Sequence, residues 1–145
     1  MSCEIQAIED ITGLFDIAIS FASDSEPIAE SLMNFVGYYD LTCYNYRNFL
    51  LQQSGLEIDK VMEFIYRGTG VVVVLNSPAY GGSRSTQLEM RTLRDSAPGK
   101  TLFLIDLGGE PLEFPAHQVY RYQSLGSDVV MTIVGLARDL RRGGR

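Results

Sequence analysis

Few side chains in this sequence have types suited to catalysis, and their neighbours narrow what they could do. His117 is the only histidine, so a Ser-His-Asp triad or a His-based metal site would depend on this one residue, which we interpret as an ordinary loop histidine. Cys43 lies in a β-prone run without a neighbouring base, which favours a structural cysteine over a nucleophile. Thr86 and Glu89 have the spacing of a helix capping box. That spacing alone favours a capping role for Glu89, and a ligand-binding role stays open.

Motifs for phosphate binding, for nucleotide binding and for a hydrolase nucleophile are missing from the sequence. No G-x-G-x-x-G follows a strand, and neither G-x-x-x-x-G-K-[ST] nor G-x-S-x-G occurs. The run Gly81-Gly82-Ser83 is better explained as a flexible turn than as a phosphate loop. The two cysteines, Cys3 and Cys43, are too few for a thiolate metal cluster. We therefore predict no metal and no bound cofactor.

Composition indicates one globular domain over residues 1–145, because 46% of the residues are hydrophobic and 21% are charged. The net charge of −6 argues against a nucleic-acid partner. The longest apolar run, residues 71–75, is too short to span a bilayer, so no membrane partner is predicted. The first residues lack the basic start and apolar stretch of a signal peptide, and we expect a cytoplasmic protein.

Candidate strands and helices alternate along the chain. Alternating or β-branched runs predict strands at residues 15–21, 42–46, 71–75, 101–105 and 118–122. Apolar residues at helical spacing predict helices that begin near Pro27, Ile58, Thr86 and Ser127, and Gly37 is predicted to end the first of them. This order favours a parallel sheet covered by helices on both faces.

The core of that sheet can be named from the same pattern. We predict that these strand residues are buried: Ile17, Ile19, Val72, Val73, Val74, Leu102, Leu104 and Ile105. Ligands of open parallel sheets bind beyond the carboxyl ends of the strands. In this chain those ends lead into residues 22–25, 47–55 and 76–83, which are also the most irregular segments.

Five segments, in the same order and at similar spacing, resemble those of TIR domains. They are residues 15–24 (Phe-Asp-Ile-Ala-Ile-Ser-Phe-Ala-Ser-Asp), 42–45, 54–61, 71–80 with its Ser-x-x-Tyr, and 85–89. The first segment, with Ser-Phe-Ala-x-Asp, is more similar to bacterial TIR domains than to those of animal receptors. The resemblance covers about residues 15–140 and implies a flavodoxin-like three-layer α/β sandwich with a five-stranded parallel sheet of order 2-1-3-4-5.

The resemblance also implies an activity, because Glu89 matches the glutamate with which enzymatic TIR domains cleave the nicotinamide–ribose bond of NAD+. NAD+ would be a substrate, and the product ADP-ribose or a cyclic isomer, in bacterial antiphage defence signalling. Substrate-binding roles are expected for five residues, with core packing or solvent exposure as the alternatives: Ser20, Phe21, Tyr44, Arg47 and Ser85. Phe21 and Tyr44 are expected to end their strands near the same face.

The loop at residues 47–56 is longer and more apolar than is usual in TIR domains. Phe49, Leu50 and Leu51 are three adjacent bulky apolar residues in a loop that would normally be polar. The matching TIR loop packs against a second TIR domain, so we expect self-association through these residues. The alternative is that they fold back onto their own domain. If a domain this short is the complete chain, we expect it to be switched either by self-assembly or by a separate sensor or effector protein.

Two other functions stay open. Ser85 stands where the family has tryptophan, and Asn45 stands where it has a strand-end aspartate. These departures favour a non-enzymatic scaffold that acts by TIR–TIR contacts. A nucleoside deoxyribosyltransferase is the other alternative, because that related fold also uses a glutamate on N-glycosidic bonds, although the TIR-like first segment argues against it.

Overall fold

The computed structural model describes residues 15–45, 65–66, 68–82, 84–95, 100–114 and 118–142, without the side chains of residues 84, 85 and 142. Its elements are β1 (Ile17–Ser20), α1 (Glu26–Tyr38), β2 (Cys43–Tyr44), β3 (Val71–Asn76), α2 (Arg84–Asp95), β4 (Thr101–Asp106), β5 (Gln118–Tyr122) and α3 (Ser127–Arg142). Short 3-10 turns, Ser23–Ser25 and Tyr80–Gly82, follow β1 and β3. Ile65, Tyr66 and Gly68 also have helical backbone.

The five strands form one parallel sheet in the order β2-β1-β3-β4-β5. This confirms the predicted flavodoxin-like α/β architecture and its strand order. The order reverses between β1 and β3, since β1 is followed along the chain by β2 on one side and then by β3 on the other. Such a reversal opens a crevice at the carboxyl ends of the two central strands, and ligands bind there in sheets of this type.

Strand residues alternate between two apolar layers. On one face, Val72 and Val74 pack in a cluster that includes Met90 and Leu93 of α2. On the other face, the odd-numbered residues of β3 pack with α1 and α3. Helices therefore cover both faces, as predicted, and every residue of β3 is buried. The eight predicted core residues are all at most 1% exposed.

The ends of α1 differ in detail from the predicted ones. Ser25 occupies the N-cap position, but its side chain makes no capping hydrogen bond, because the preceding 3-10 turn already leads the chain into the helix. The helix continues past Gly37 to Tyr38. It stops where Asp40 adopts a positive φ of 63° and the amide of Leu41 donates to the carbonyl of Val36.

No helix in the described part of the chain is long and apolar enough to cross a membrane.

Candidate active site

The carboxyl group of Glu89 lies beneath the carboxyl end of β1. The hydroxyl of Ser20, the last residue of β1, donates to Glu89 Oε1 at 3.0 Å. The hydroxyl of Tyr66 donates to Glu89 Oε2. Glu89 is only 1% exposed. One protein hydroxyl thus binds each carboxyl oxygen, and the side chain is almost completely buried.

Tyr80 extends this arrangement toward β3. Its hydroxyl lies 2.5 Å from Ser20 Oγ, and its backbone carbonyl accepts the hydroxyl of Thr86, in the first turn of α2. The turn that follows β3 is therefore attached both to the end of β1 and to α2. We call Ser20, Tyr66, Tyr80 and Glu89 the hydroxyl cluster. It occupies the point where the strand order reverses.

Strand and helix periodicity explain why these side chains meet. Successive side chains of a strand point to opposite faces, so Ser20 shares the α2 face with Ala18, whereas Ile17 and Ile19 face α1 and α3. On α2, Glu89 lies three residues after Thr86 and four before Leu93, and both of those residues are fully buried. A serine at the strand end is small enough to leave room for the carboxyl group.

Burial dominates the electrostatics of the hydroxyl cluster. It raises the pKa of Glu89 to about 7, although the hydrogen bonds from Tyr66 and Ser20 act in the opposite direction. Burial, and then the charge of Glu89, raises the pKa of Tyr66 and of Tyr80 above the ordinary value. Both phenols therefore stay protonated donors near neutral pH, where the Glu89 carboxyl group itself changes charge.

The capping-box interpretation of Thr86 and Glu89 is wrong. The helix α2 begins at Arg84, so Glu89 is its sixth residue and lies beyond the position from which a side chain reaches the N-cap. Both carboxyl oxygens instead accept hydroxyls from residues far away in the sequence. Tertiary contacts, rather than the local backbone, hold this side chain.

The two predicted aromatic residues lie in different layers. Tyr44 is 1% exposed and packs on the α2 side, where its ring centroid is 6.1 Å from that of Tyr66. Phe21 packs with Ile17 and Ile19 in the cluster on the α1 side. The prediction that Phe21 and Tyr44 lie near the same face is therefore wrong, because Phe21 continues the odd-numbered alternation of β1.

The side chains of the other residues predicted to bind substrate or a second chain lie outside the described part of the structure. Ser85 belongs to α2, but its side chain lies outside the described residues, as do Arg47, His117 and the predicted interface residues Phe49, Leu50 and Leu51. Asn45 is buried, and its amide donates to the sulfur of Met33 at 2.8 Å.

Two residues that help to form this site were not predicted from the sequence. Tyr66 is four residues after Met62, on the apolar face of a predicted helix, and this spacing could have marked it as facing the core. Asp24 joins the loops after β1 and β3: its Oδ1 accepts the Ser77 hydroxyl at 2.5 Å and its Oδ2 accepts the Ala79 amide at 3.1 Å. These bonds join the loop that follows Ser20 to the loop that leads into Tyr80.

Other reactive groups in the described residues offer less chemistry. Burial, followed by the charge of Asp16, raises the pKa of Cys43 to about 12, which agrees with a structural cysteine. No group of three or more His, Cys, Asp or Glu side chains in the described ranges could hold a metal ion.

A cavity of about 450 Å³ lies between α1 and the start of α3, on the layer opposite to Glu89. It is mostly apolar, and Ser31 and Ser127 supply the polar side chains among the described residues that line it. None of those described lining residues is an acid or a base.

No family model matches this sequence, and a search of curated proteins finds no match either. The resemblance to TIR domains therefore depends on the five motif segments alone. The sheet order agrees with that resemblance, but it is shared by flavodoxin-like proteins of many functions.

Proposed function

We propose that this protein is a TIR-type NAD+ nucleosidase or ADP-ribosyl cyclase that cleaves the nicotinamide–ribose bond, with Glu89 as its catalytic residue and bacterial antiphage signalling as its role. The observation that carries the proposal is the location of Glu89. Its carboxyl group is held by Ser20 at the end of β1, beside Tyr80 from the turn after β3. Open parallel sheets bind their ligands where the strand order reverses in this way.

The chemistry of a carboxylate suits this reaction. Cleavage of an N-glycosidic bond passes through an oxocarbenium-like state, and a preorganised negative charge stabilises it. A carboxylate has about four acceptor positions, of which the hydroxyls of Ser20 and Tyr66 use two. The other two could accept the two hydroxyls of the nicotinamide ribose of NAD+. Nicotinamide leaves from a cationic ring with the bonding electron pair, so its departure as a neutral molecule needs no proton donor.

Burial of Glu89 defines what this mechanism requires. At 1% exposure, the carboxyl group cannot touch a substrate unless the side chains packed around it move. On this proposal, the described conformation is a resting form, and NAD+ binding or self-association opens it. The ribose is then attacked by water to give ADP-ribose, or by a base nitrogen of the adenine to give a cyclic product.

The same burial favours a second candidate, the non-enzymatic TIR–TIR scaffold. A glutamate whose two oxygens are bound by protein hydroxyls can serve the core alone. The buried Asn45, which contacts Met33, also has a packing role in this structure. The two candidates differ in one measurable outcome, which is whether any concentration of the protein cleaves NAD+.

The test is incubation of concentrated protein with NAD+, followed by chromatography of the products. We expect nicotinamide with ADP-ribose or a cyclic isomer, and we expect Glu89→Gln to lower kcat/KM at least about tenfold, or about 1.4 kcal/mol of transition-state stabilisation. Glutamine keeps the size of the side chain and removes its charge. Glu30→Gln makes the same change at an exposed position of α1 and should retain full activity.

Three results would reject the proposal or replace it. Full activity of Glu89→Gln would end the catalytic assignment. A folded, self-associating protein that leaves NAD+ intact at every concentration would favour the scaffold. Exchange of bases on a 2′-deoxynucleoside, assayed in parallel, would instead indicate the deoxyribosyltransferase.

A further inference from the structure

We propose that Tyr66 is a positioning residue for Glu89: its hydroxyl, together with that of Ser20, favours the ionised form of the carboxyl group and fixes it at the end of β1. The structural part of this inference depends only on the hydroxyl cluster. Its consequence for catalysis rests on the proposed NAD+ cleavage, and the experiment below separates the two.

The side chain of Tyr66 is completely buried and packs against another aromatic ring. It is 0% exposed, and its ring meets that of Tyr44 edge-on, at an interplanar angle of 84°. Its own backbone is helical, and Thr69 closes that end of the helical turn by donating to the carbonyl of Ile65 at 2.6 Å. A phenol with few rotatable bonds can therefore aim its hydroxyl at Glu89 Oε2 at little entropic cost.

The other carboxyl oxygen, Oε1, is bound by a chain of two hydroxyl groups. A serine has only one O–H donor, and Ser20 uses it on Glu89 Oε1. Ser20 Oγ must therefore accept from Tyr80, whose hydroxyl lies 2.5 Å away. Donation runs from Tyr80 to Ser20 to Glu89, and Tyr66 donates from the other side. Both ends of this arrangement favour the charged form of the carboxyl group.

Among the described residues that interact with Glu89, no other side chain changes its charge near neutral pH. Two titratable side chains interact with Glu89: Tyr66 lies in the helical turn before β3, and Tyr80 lies in the turn after β3. Tyr44 of β2 in turn affects the pKa of Tyr66. Burial raises the pKa of Tyr66 and Tyr80, so they remain neutral. Arg94 of α2 acts on Tyr80 in the opposite direction and lowers its pKa.

Tyr66→Phe removes one donor to the ionised carboxyl group and nothing else. A lost hydrogen bond to a charged group is worth about one pH unit or more. The titration midpoint of Glu89 should therefore move up by about one unit. Tyr39→Phe is the matched control, because it deletes a tyrosine hydroxyl that contacts Met131 on the opposite layer. It should leave the midpoint unchanged.

The measurement is NMR titration of protein labelled with carboxyl-¹³C glutamate, in which the Glu89 resonance is the one missing from Glu89→Gln. The pH profile of kcat/KM for NAD+ is recorded on the same variants. We expect its acid limb to move up by the same amount as the NMR midpoint in Tyr66→Phe. Activity should fall about fivefold at the pH of the wild-type midpoint and about tenfold well below it, and recover at alkaline pH.

The outcomes separate positioning from packing. An unchanged Glu89 midpoint in Tyr66→Phe would overturn the inference, and so would a downward shift, which would mean that solvent had entered a loosened core. If Tyr66→Phe does not fold, Ser20→Ala removes the other donor, and the same upward shift is expected. If the wild type cleaves no NAD+, the proposed function fails while the NMR titration still decides the role of Tyr66.

Discussion

At the scale of single residues, the buried Glu89 carboxyl group should make stability depend on pH. Burial raises its folded-state pKa from 4.5 to about 7, so the folded protein holds a proton that the unfolded chain releases. The stability linked to that proton is full below pH 4.5 and is lost as the pH rises through 7. The loss is on the order of 3 kcal/mol.

Urea unfolding of wild type and Glu89→Gln from pH 5 to pH 8 tests this prediction. Wild type should lose stability across the range relative to the variant, because glutamine has no proton to release. Lys100, whose pKa burial lowers to about 8, titrates mainly above this range and is common to both proteins. Parallel stability curves would show that Glu89 carries an ordinary pKa and contradict the electrostatics described for the cluster.

At the scale of elements, the loop after β4 requires a glycine. A Cβ on Gly109 would lie 2.4 Å from both Asn76 Oδ1 and the carbonyl oxygen of Ser77. The Gly109 amide also donates to the Asn76 carbonyl at 3.1 Å, so the loop cannot easily move away. Gly109→Ala should therefore lower the free energy of unfolding by about 1–3 kcal/mol.

Gly135→Ala provides the comparison for that loop. Gly135 lies inside α3, where an added Cβ meets no atom within 4 Å. Alanine there should raise stability by up to about 1 kcal/mol, because it restricts the unfolded chain and suits a helix. Thermal melts of both variants should move in opposite directions. A Gly109→Ala melt at or above that of wild type would refute the close approach of this loop to β3.

Elements with a strong local pattern were predictable from the sequence, and the site was predictable only in part. Residues 118–122 were predicted as a strand and form β5, and the apolar run at 71–75 became β3 with one more residue, Asn76.

Glu89 and Ser20 were identified through motif resemblance. Their contact was not, because the two residues are separated by 69 positions, and Tyr66 is 23 positions from Glu89. No local periodicity encodes a partner so distant, and the capping pattern at Thr86 suggested a local partner instead.

At the scale of the whole molecule, the remaining prediction concerns self-association. The apolar residues Phe49, Leu50 and Leu51 belong to the loop predicted after the second strand, and they lie outside the described residues. The TIR resemblance implies that this loop contacts a second copy of the chain. The burial of Glu89 is a second reason to expect this contact to affect activity. The side chains around the carboxyl group must move before a substrate can reach it, and self-association could cause that movement.

Phe49→Asp or Leu51→Asp should weaken self-association and lower NAD+ cleavage per molecule, most visibly in dilute protein. Association would bury the introduced carboxylate without a partner of opposite charge, which is unfavourable. In the isolated monomer the carboxylate stays in water, so the melting temperature of the monomer should change little. Tyr38→Asp is the matched control: this α1 residue is 88% exposed, and an acidic residue there should leave association intact. Light scattering and NAD+ turnover are measured across one dilution series for all four proteins. Cleavage per molecule that stays constant with dilution, in wild type and loop variants alike, would show that a single chain completes its own site.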